Sequence, residues 1–227
     1  QNAMFACAIT YSMGKTLDDI RQGLQTFDTT YFQAPGRMNI FDEHPFKVIL
    51  DYGHNPAAVK AMVDLVGNLD VDGRRLVVVA APGDRRDEDI REIAAHCAGS
   101  FDHYICRRDD NPRGRGEDEV PRMLRDALIE GGVDEDRIET VNREQPAVDR
   151  ALRLAEPGDL LLVFADEIAR SWEQITSFSP TDEPSEPVPS HAGVVLEPDE
   201  MPEAALGVGD HLVRDERGVR LARESED

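Results

Sequence analysis

Phe46 to Leu50 is a short apolar run that stops at Asp51-Tyr52-Gly53-His54-Asn55-Pro56 and gives way at once to helical spacing. Ala57, Val59, Met62, Val63 and Val66 recur on one helical face, with Asn55 at the N-cap position and Pro56 in the first turn. A buried strand feeding directly into a helix commits this stretch to a β-α unit. Asp51 and His54 then lie at the carboxyl end of the strand, where open α/β sheets bind ligands. A carboxylate there can accept hydrogen bonds from ribose hydroxyls, and an imidazole can face a phosphate or a substrate carboxylate.

The unit repeats along the chain. Helical patterns at 55–69, 86–97, 117–130, 145–154 and 166–175 alternate with strand patterns at 46–51, 75–80, 101–106, 138–141 and 160–164. A further short strand at 38–41 neighbours the first. Strands separated by helical stretches predict an α/β fold, a Rossmann-like doubly wound and mostly parallel sheet. Two helices precede it, one of small residues running to about Gly14 and one capped by Thr16 and ending by Phe27. The composition changes after residue 177. Ser179 to Pro189 holds four prolines, and residues 178–227 carry 13 acidic and 4 basic side chains. An extended linker and a solvated acidic tail are expected there. Residues 211–213 and 219–221 have the pattern of a small hairpin, although a lone hairpin is marginal in water. The expected segments are thus 1–34, 35–177 and 178–227.

Charge and cysteine usage exclude some functions. A formal charge of -21 argues against non-specific nucleic-acid binding, since phosphates would be repelled, and suits a surface adapted to high salt. Cys7, Cys97 and Cys106 are odd in number and show no CxxC or zinc spacing, so they read as reduced, buried thiols. No apolar run approaches a membrane span and no secretory signal is visible, so a cytoplasmic protein that contacts neither membrane nor nucleic acid is expected. The sequence leaves a homo-oligomer open. Gln1-Asn2-Ala3-Met4-Phe5 begins inside an apolar helix pattern, which is expected of a piece of a longer protein.

Three successive strands end in polar loops on one sheet edge. After Asp51-Pro56 comes Ala81-Pro82-Gly83-Asp84-Arg85-Arg86-Asp87, a glycine turn into a helix N-terminus whose free amides can face an anion. The third, 107–116, reads Arg-Arg-Asp-Asp-Asn-Pro-Arg-Gly-Arg-Gly and suits a zwitterion or a guanidinium. His44, His96, His103, His191 and His211 lack metal-ligand spacing.

Taken with Asn2-Ala3 and Pro35-Gly36-Arg37-Met38-Asn39, the ordered elements Asp51-Tyr52-Gly53-His54-Asn55-Pro56, Pro82-Gly83-Asp84-Arg85-Arg86-Asp87 and Asp109-Asp110-Asn111-Pro112-Arg113-Gly114-Arg115 resemble the carboxyl-terminal part of the Mur ligase superfamily. Within it, the chain is most similar to the Mur-like half of cyanophycin synthetases. The resemblance covers about residues 1 to 177 and implies that 1–34 is a remnant of the central ATPase domain and 35–177 the Rossmann-like carboxyl-terminal domain.

The resemblance implies ATP-dependent amide ligation. A carboxylate is phosphorylated to an acyl phosphate, and the amine of an amino acid attacks it through a tetrahedral intermediate. By position, Asn2 resembles a contact to adenine, Arg37 a hinge arginine reaching the phosphates, Asp51 a ribose acceptor and His54 a residue beside the reacting groups. Asp84 and Arg85, with Asp110, Asn111 and Arg113, fall on the loops that hold the incoming amino acid. On charge alone, Asp109 and Asp110 could meet an arginine guanidinium, with polyaspartate side chains as the acceptor. The phosphate-cradling G-x-x-x-x-G-K-[ST] is absent from these residues, and Mg2+ ligands are expected in the central domain, so the piece alone is expected to be inactive. Two other readings stand beside this one: a muramyl-peptide or other Mur-like ligase, and a non-catalytic module binding nucleotide or a partner protein.

Overall fold

Apolar runs at 47–51, 75–81 and 160–164 are buried over almost their whole length, as expected of a parallel sheet covered on both faces. The computed structural model of the protein describes residues 2–179, 210–215 and 218–223. Two helices come first, α1 (Asn2–Ser12) and α2 (Leu17–Thr26). Thr16 caps α2 in a reciprocal capping box with Asp19. Then follow β1 (Asn39–Phe41), β2 (Lys47–Asp51), α3 (Pro56–Gly67), β3 (Arg75–Ala81), α4 (Asp87–Cys97) and β4 (His103–Arg108). The series continues with α5 (Glu119–Glu130), β5 (Ile138–Thr140), α6 (Glu144–Leu154), β6 (Leu160–Phe164) and α7 (Ile168–Ser177).

The sheet order is β1-β2-β6-β3-β4-β5, with β1 antiparallel and the other pairings parallel. Ile49, Val77, Val79 and Leu162 face α3, α4 and α5, whereas Val48, Leu50, Val78 and Val163 face α6 and α7. The doubly wound architecture follows from handedness. Connections running outward from β2 to β5 lay their helices on one face, and the return from β5 to β6 must lay α6 on the other. The last strand is thereby inserted between the first two parallel ones. The carboxyl ends of β2, β6, β3 and β4 become adjacent.

Two boundaries differ from the sequence expectation for a physical reason. Strand β4 runs on through Arg107 and Arg108, which pair in the ladder with Ala80 and Ala81 rather than opening a loop. Their charges are tolerated in a strand because carboxylates and carbonyls surround them. Asp166 precedes α7 instead of starting it, and its carboxylate is turned back to Arg107. Cys97 and Cys106 are buried as expected, with burial pushing the Cys97 thiol up to about 12, but Cys7 is only half-buried on α1. In the second compact unit, β7 (Asp210–Asp215) and β8 (Gly218–Arg223) pair antiparallel, so this part of the expected solvated tail is a hairpin. The register runs from Asp210↔Arg223 to Asp215↔Gly218. The proline-rich stretch beginning at Pro180, with His191, lies outside the described residues. Among the described residues, no helix is long and apolar enough to cross a membrane.

Leu162 is wholly buried at the centre of β6, against both β2 and β3. Leu162→Ala is expected to lower the unfolding free energy of this chain by about 2–5 kcal/mol in a urea titration. A loss of only a few tenths would contradict the central placement of β6.

Candidate functional site

At the carboxyl ends of four strands lies a cavity of about 100 Å³, bordered by Tyr52 and His54, Arg85, Arg107, Asp109, Arg113 and Asp166. Each residue arrives there for a local reason. Asn55 Oδ1 accepts from Ala58 N at 3.0 Å and caps α3, so His54 stands immediately ahead of the helix cap. His54 Nδ1 donates to the Tyr52 carbonyl at 3.0 Å, which leaves Nε2 as the ring nitrogen available to a ligand. Asp51 is buried and accepts from Met38 N at 2.9 Å. Burial raises its carboxyl above the usual range, against the pull of the Met38 and Gly53 amides and of the Arg37 and His54 charges. One Asp51 oxygen is therefore committed to the backbone at Met38. Arg37, exposed, lies over the Tyr52 ring at 5.9 Å. The elements around Arg37, Asp51 and His54 thus converge.

Turns after β3 and β4 form the opposite wall. Gly83 packs so closely on the Pro112 carbonyl that any side chain at 83 would force the two loops apart. Arg113 Nη1 reaches Asp84 at 3.0 Å, and its other nitrogen lies 3.7 Å from Asp109. Arg113 adopts φ of 50°, in the left-handed region where a side chain is strained. Only one other described non-glycine residue does so, Met38 beside Asp51. Arg113 lines the cavity, and Met38 holds Asp51 beside it.

Of the four arginines in 107–116, Arg107 and Arg113 line the cavity, and Arg113 is the one of the two that is partly exposed; Arg107 Nε and Arg108 Nε are buried without a hydrogen-bond partner. Arg107 is buried between Glu144, at 2.5 Å, and Asp166, at 2.8 Å, and also donates to the carbonyls of Arg108 and Phe164. Arg108 donates to the carbonyls of Asp109 and Asp110. Arg115 is fully engaged between the loops.

The paired aspartates separate. Asp110 Oδ1 accepts from Glu144 N at 3.2 Å at the start of α6, so its side chain serves a helix end. Asp109 instead borders the cavity, 5 % exposed, with Arg113 as its ionic neighbour. Burial, reinforced by the Asp166 charge, pushes its carboxyl up to about 6 against Arg107 and Arg113. Asn111 is exposed and caps the turn by accepting from Arg113 N. Asn2 lies elsewhere, in a separate cavity of about 610 Å³ between α1 and α2.

Sequence reading overlooked Asp166 and Glu144. Asp166 stands just beyond β6, so the strand-end rule that singled out Asp51 would have found it. Glu144 shows no local signal. It lies on α6 and accepts from the amides of Asp166 and Glu167, from Ser171 Oγ and from Arg107. Burial pushes its carboxyl upward, with the Arg107 charge opposing. For Asp166, the Glu144 hydrogen bond and Arg107 outweigh burial and hold it below the usual range.

Residues 36–166 match the family described as Mur ligase, glutamate ligase domain, and the chain belongs to that family. It is 35% identical over 179 residues to a cyanophycin synthetase of Crocosphaera subtropica and 36% identical over 182 residues to one of Synechocystis sp.. Each alignment covers 79% of this chain and 20% of the relative, so the chain spans about one fifth of the curated relatives it matches. Among solved structures, E. coli FolC in complex with DHPP and ADP superimposes with a TM-score of 0.59 at 26% identity, over 77% of this chain and 38% of that one.

The raised Asp109 carboxyl gives a signed expectation. Its folded value of about 6 lies above the unfolded value near 4, so the folded state holds the extra proton between these values. Stability contributed by this group is therefore lost as pH rises from about 4 through about 6. Asp109→Asn should flatten that part of the pH dependence and stabilise the chain at pH 7.5, read by urea unfolding at several pH values. An unchanged profile would place the Asp109 carboxyl in water.

Proposed function

We propose that this chain is the carboxyl-terminal, amino-acid-presenting part of an ATP-dependent acid–amino acid ligase. The observation that carries the reading is the convergence of Arg113, Asp109, Arg85 and His54 on one cavity at four strand ends, with Asp51 beside it under the influence of Arg37 and His54. That arrangement offers fixed cations for carboxylates or phosphates and a buried carboxylate for a cation, the complement of a zwitterionic amino acid beside a nucleotide. The cyanophycin synthetase relatives favour arginine as the amino acid and polyaspartate side chains as the acceptor. In this reading Arg113 and Arg85 take the α-carboxylate, Asp109 meets the guanidinium, and Asp84 and Asn111 hold the turn that carries Arg113.

Arg37 and His54 would face the phosphates and Asp51 the ribose through the oxygen not bonded to Met38. The acceptor carboxylate forms an acyl phosphate with ATP, the arginine amine attacks, and amide, ADP and phosphate result. The chain's part is to orient the amine and neutralise charge. Among the described residues, no group of three His, Cys, Asp or Glu is arranged to hold a metal ion, so no step is assigned to Mg2+ here. ATP with Mg2+ and a cytoplasmic setting belong to the proposal. So does inactivity of this chain alone, which contains no phosphate-cradling lysine motif.

The test uses the full-length gene product that carries this chain. ADP release should require both polyaspartate primer and arginine. Asp109→Asn should raise the KM for arginine about tenfold or more, the loss of a charged partner in a buried site, with the KM for ATP unmoved. Asp110→Asn, at a residue that serves a helix end, should change the arginine KM far less. Arginine-independent ADP release, or equal effects of the two substitutions, would overturn the reading.

A further inference from the structure

We propose that Arg115 is the positioning residue of this site, joining the turn after β3 to the loop after β4 so that Asp84 and Arg85 are presented to Arg113. A guanidinium has five N–H donors in a rigid fork, and each of those of Arg115 has a partner. Nε donates to the Gly83 carbonyl at 2.7 Å. Nη1 donates to Glu119 at 2.6 Å and to Met123 Sδ at 3.7 Å. Nη2 donates to the Arg85 carbonyl at 2.8 Å and to Asp87 at 2.7 Å. The two carbonyls are those flanking residue 84. Arg115 therefore grips the β3 turn by its backbone on both sides of Asp84 while it is tied to α5 through Glu119.

Local backbone geometry explains how Arg115 reaches this position. Arg115 N donates to the Pro112 carbonyl at 3.1 Å, closing a tight turn over residues 112–115. Left-handed φ values at Arg113 and Gly114 complete it. One turn thus delivers two arginines with different tasks: Arg113 lines the cavity, and Arg115 is consumed by the loops. The same Pro112 carbonyl meets Gly83, so the loops touch where Arg115 ties them. Lysine could not substitute, because three donors on one nitrogen cannot reach carbonyls and carboxylates on two sides.

The inference rests on the proposed ligase reading for its kinetic arm only. In the full-length gene product, Arg115→Lys should raise the KM for arginine about tenfold while the KM for ATP stays within about twofold. Asp87→Asn removes one exposed partner and should move the arginine KM the same way, by about threefold. In this 227-residue chain, Arg115→Lys should speed amide hydrogen exchange at residues 83–87 while exchange in β2 and β6 stays at the wild-type rate. An unchanged arginine KM in both variants, or unchanged exchange at 83–87, overturns the positioning role. A wild-type protein that releases no ADP with arginine overturns the ligase reading instead, and the exchange measurement still decides the role of Arg115. If Arg115→Lys fails to fold, Asp87→Asn decides both arms.

Discussion

A full positive charge sits in the interior of this domain at Arg107, 1 % exposed, and the arrangement of the site follows from how it is compensated. An isolated buried guanidinium would cost several kcal/mol, so the fold must bring it carboxylates and carbonyls. Glu144 comes from α6, Asp166 from the end of β6, and the carbonyl of Phe164 from β6 itself. Removing any partner would leave a charge stranded in low dielectric, so the elements supplying them are held at fixed distances. Glu144 extends the constraint by accepting from Ser171 on α7 and from the turn before it. The loops after β4 and β6 are thereby locked together beneath the cavity.

Rigidity below permits strain above. Arg113 and Met38 occupy backbone conformations that a residue with a side chain adopts at a cost; Arg113 lines the cavity, and Met38 holds Asp51 beside it. The tie of Arg115 and the close contact of Gly83 with Pro112 hold the upper loops in place. Asp109 sits where these two layers meet. It is buried enough to ionise reluctantly and is aimed toward Arg113, so its charge state responds to whatever enters the cavity. A site of this kind orients its ligands through preformed charge.

Much of the fold was legible because its signals are local. The β2–α3 unit was readable from one apolar run, one capping asparagine and one proline, and the same periods located the other helices and strands to within a few residues. The strand-end rule then placed the loops of Asp51, Asp84 and Arg113 on one edge. It failed at Arg107 and Arg108, which charge alone assigned to a loop. Their burial depends on Glu144 and Asp166, distant in sequence, and no local pattern reports that compensation. The same blindness grouped Asp109 with Asp110, two adjacent carboxylates that alternate to opposite surroundings at the end of β4.

The amino-acid sequence by itself determined the succession of strands and helices, their parallel, doubly wound arrangement and the edge on which ligands would gather, because periodicity, capping and the handedness of β-α-β connections act over short spans. Only the tertiary structure decided that Arg107 and Arg113, of four neighbouring arginines, line the cavity, which aspartate is buried beside them, and that β6 enters between β2 and β3 to bring Asp166 there. Those outcomes depend on desolvation and on partners many residues apart. They are properties of the assembled interior and of no single segment.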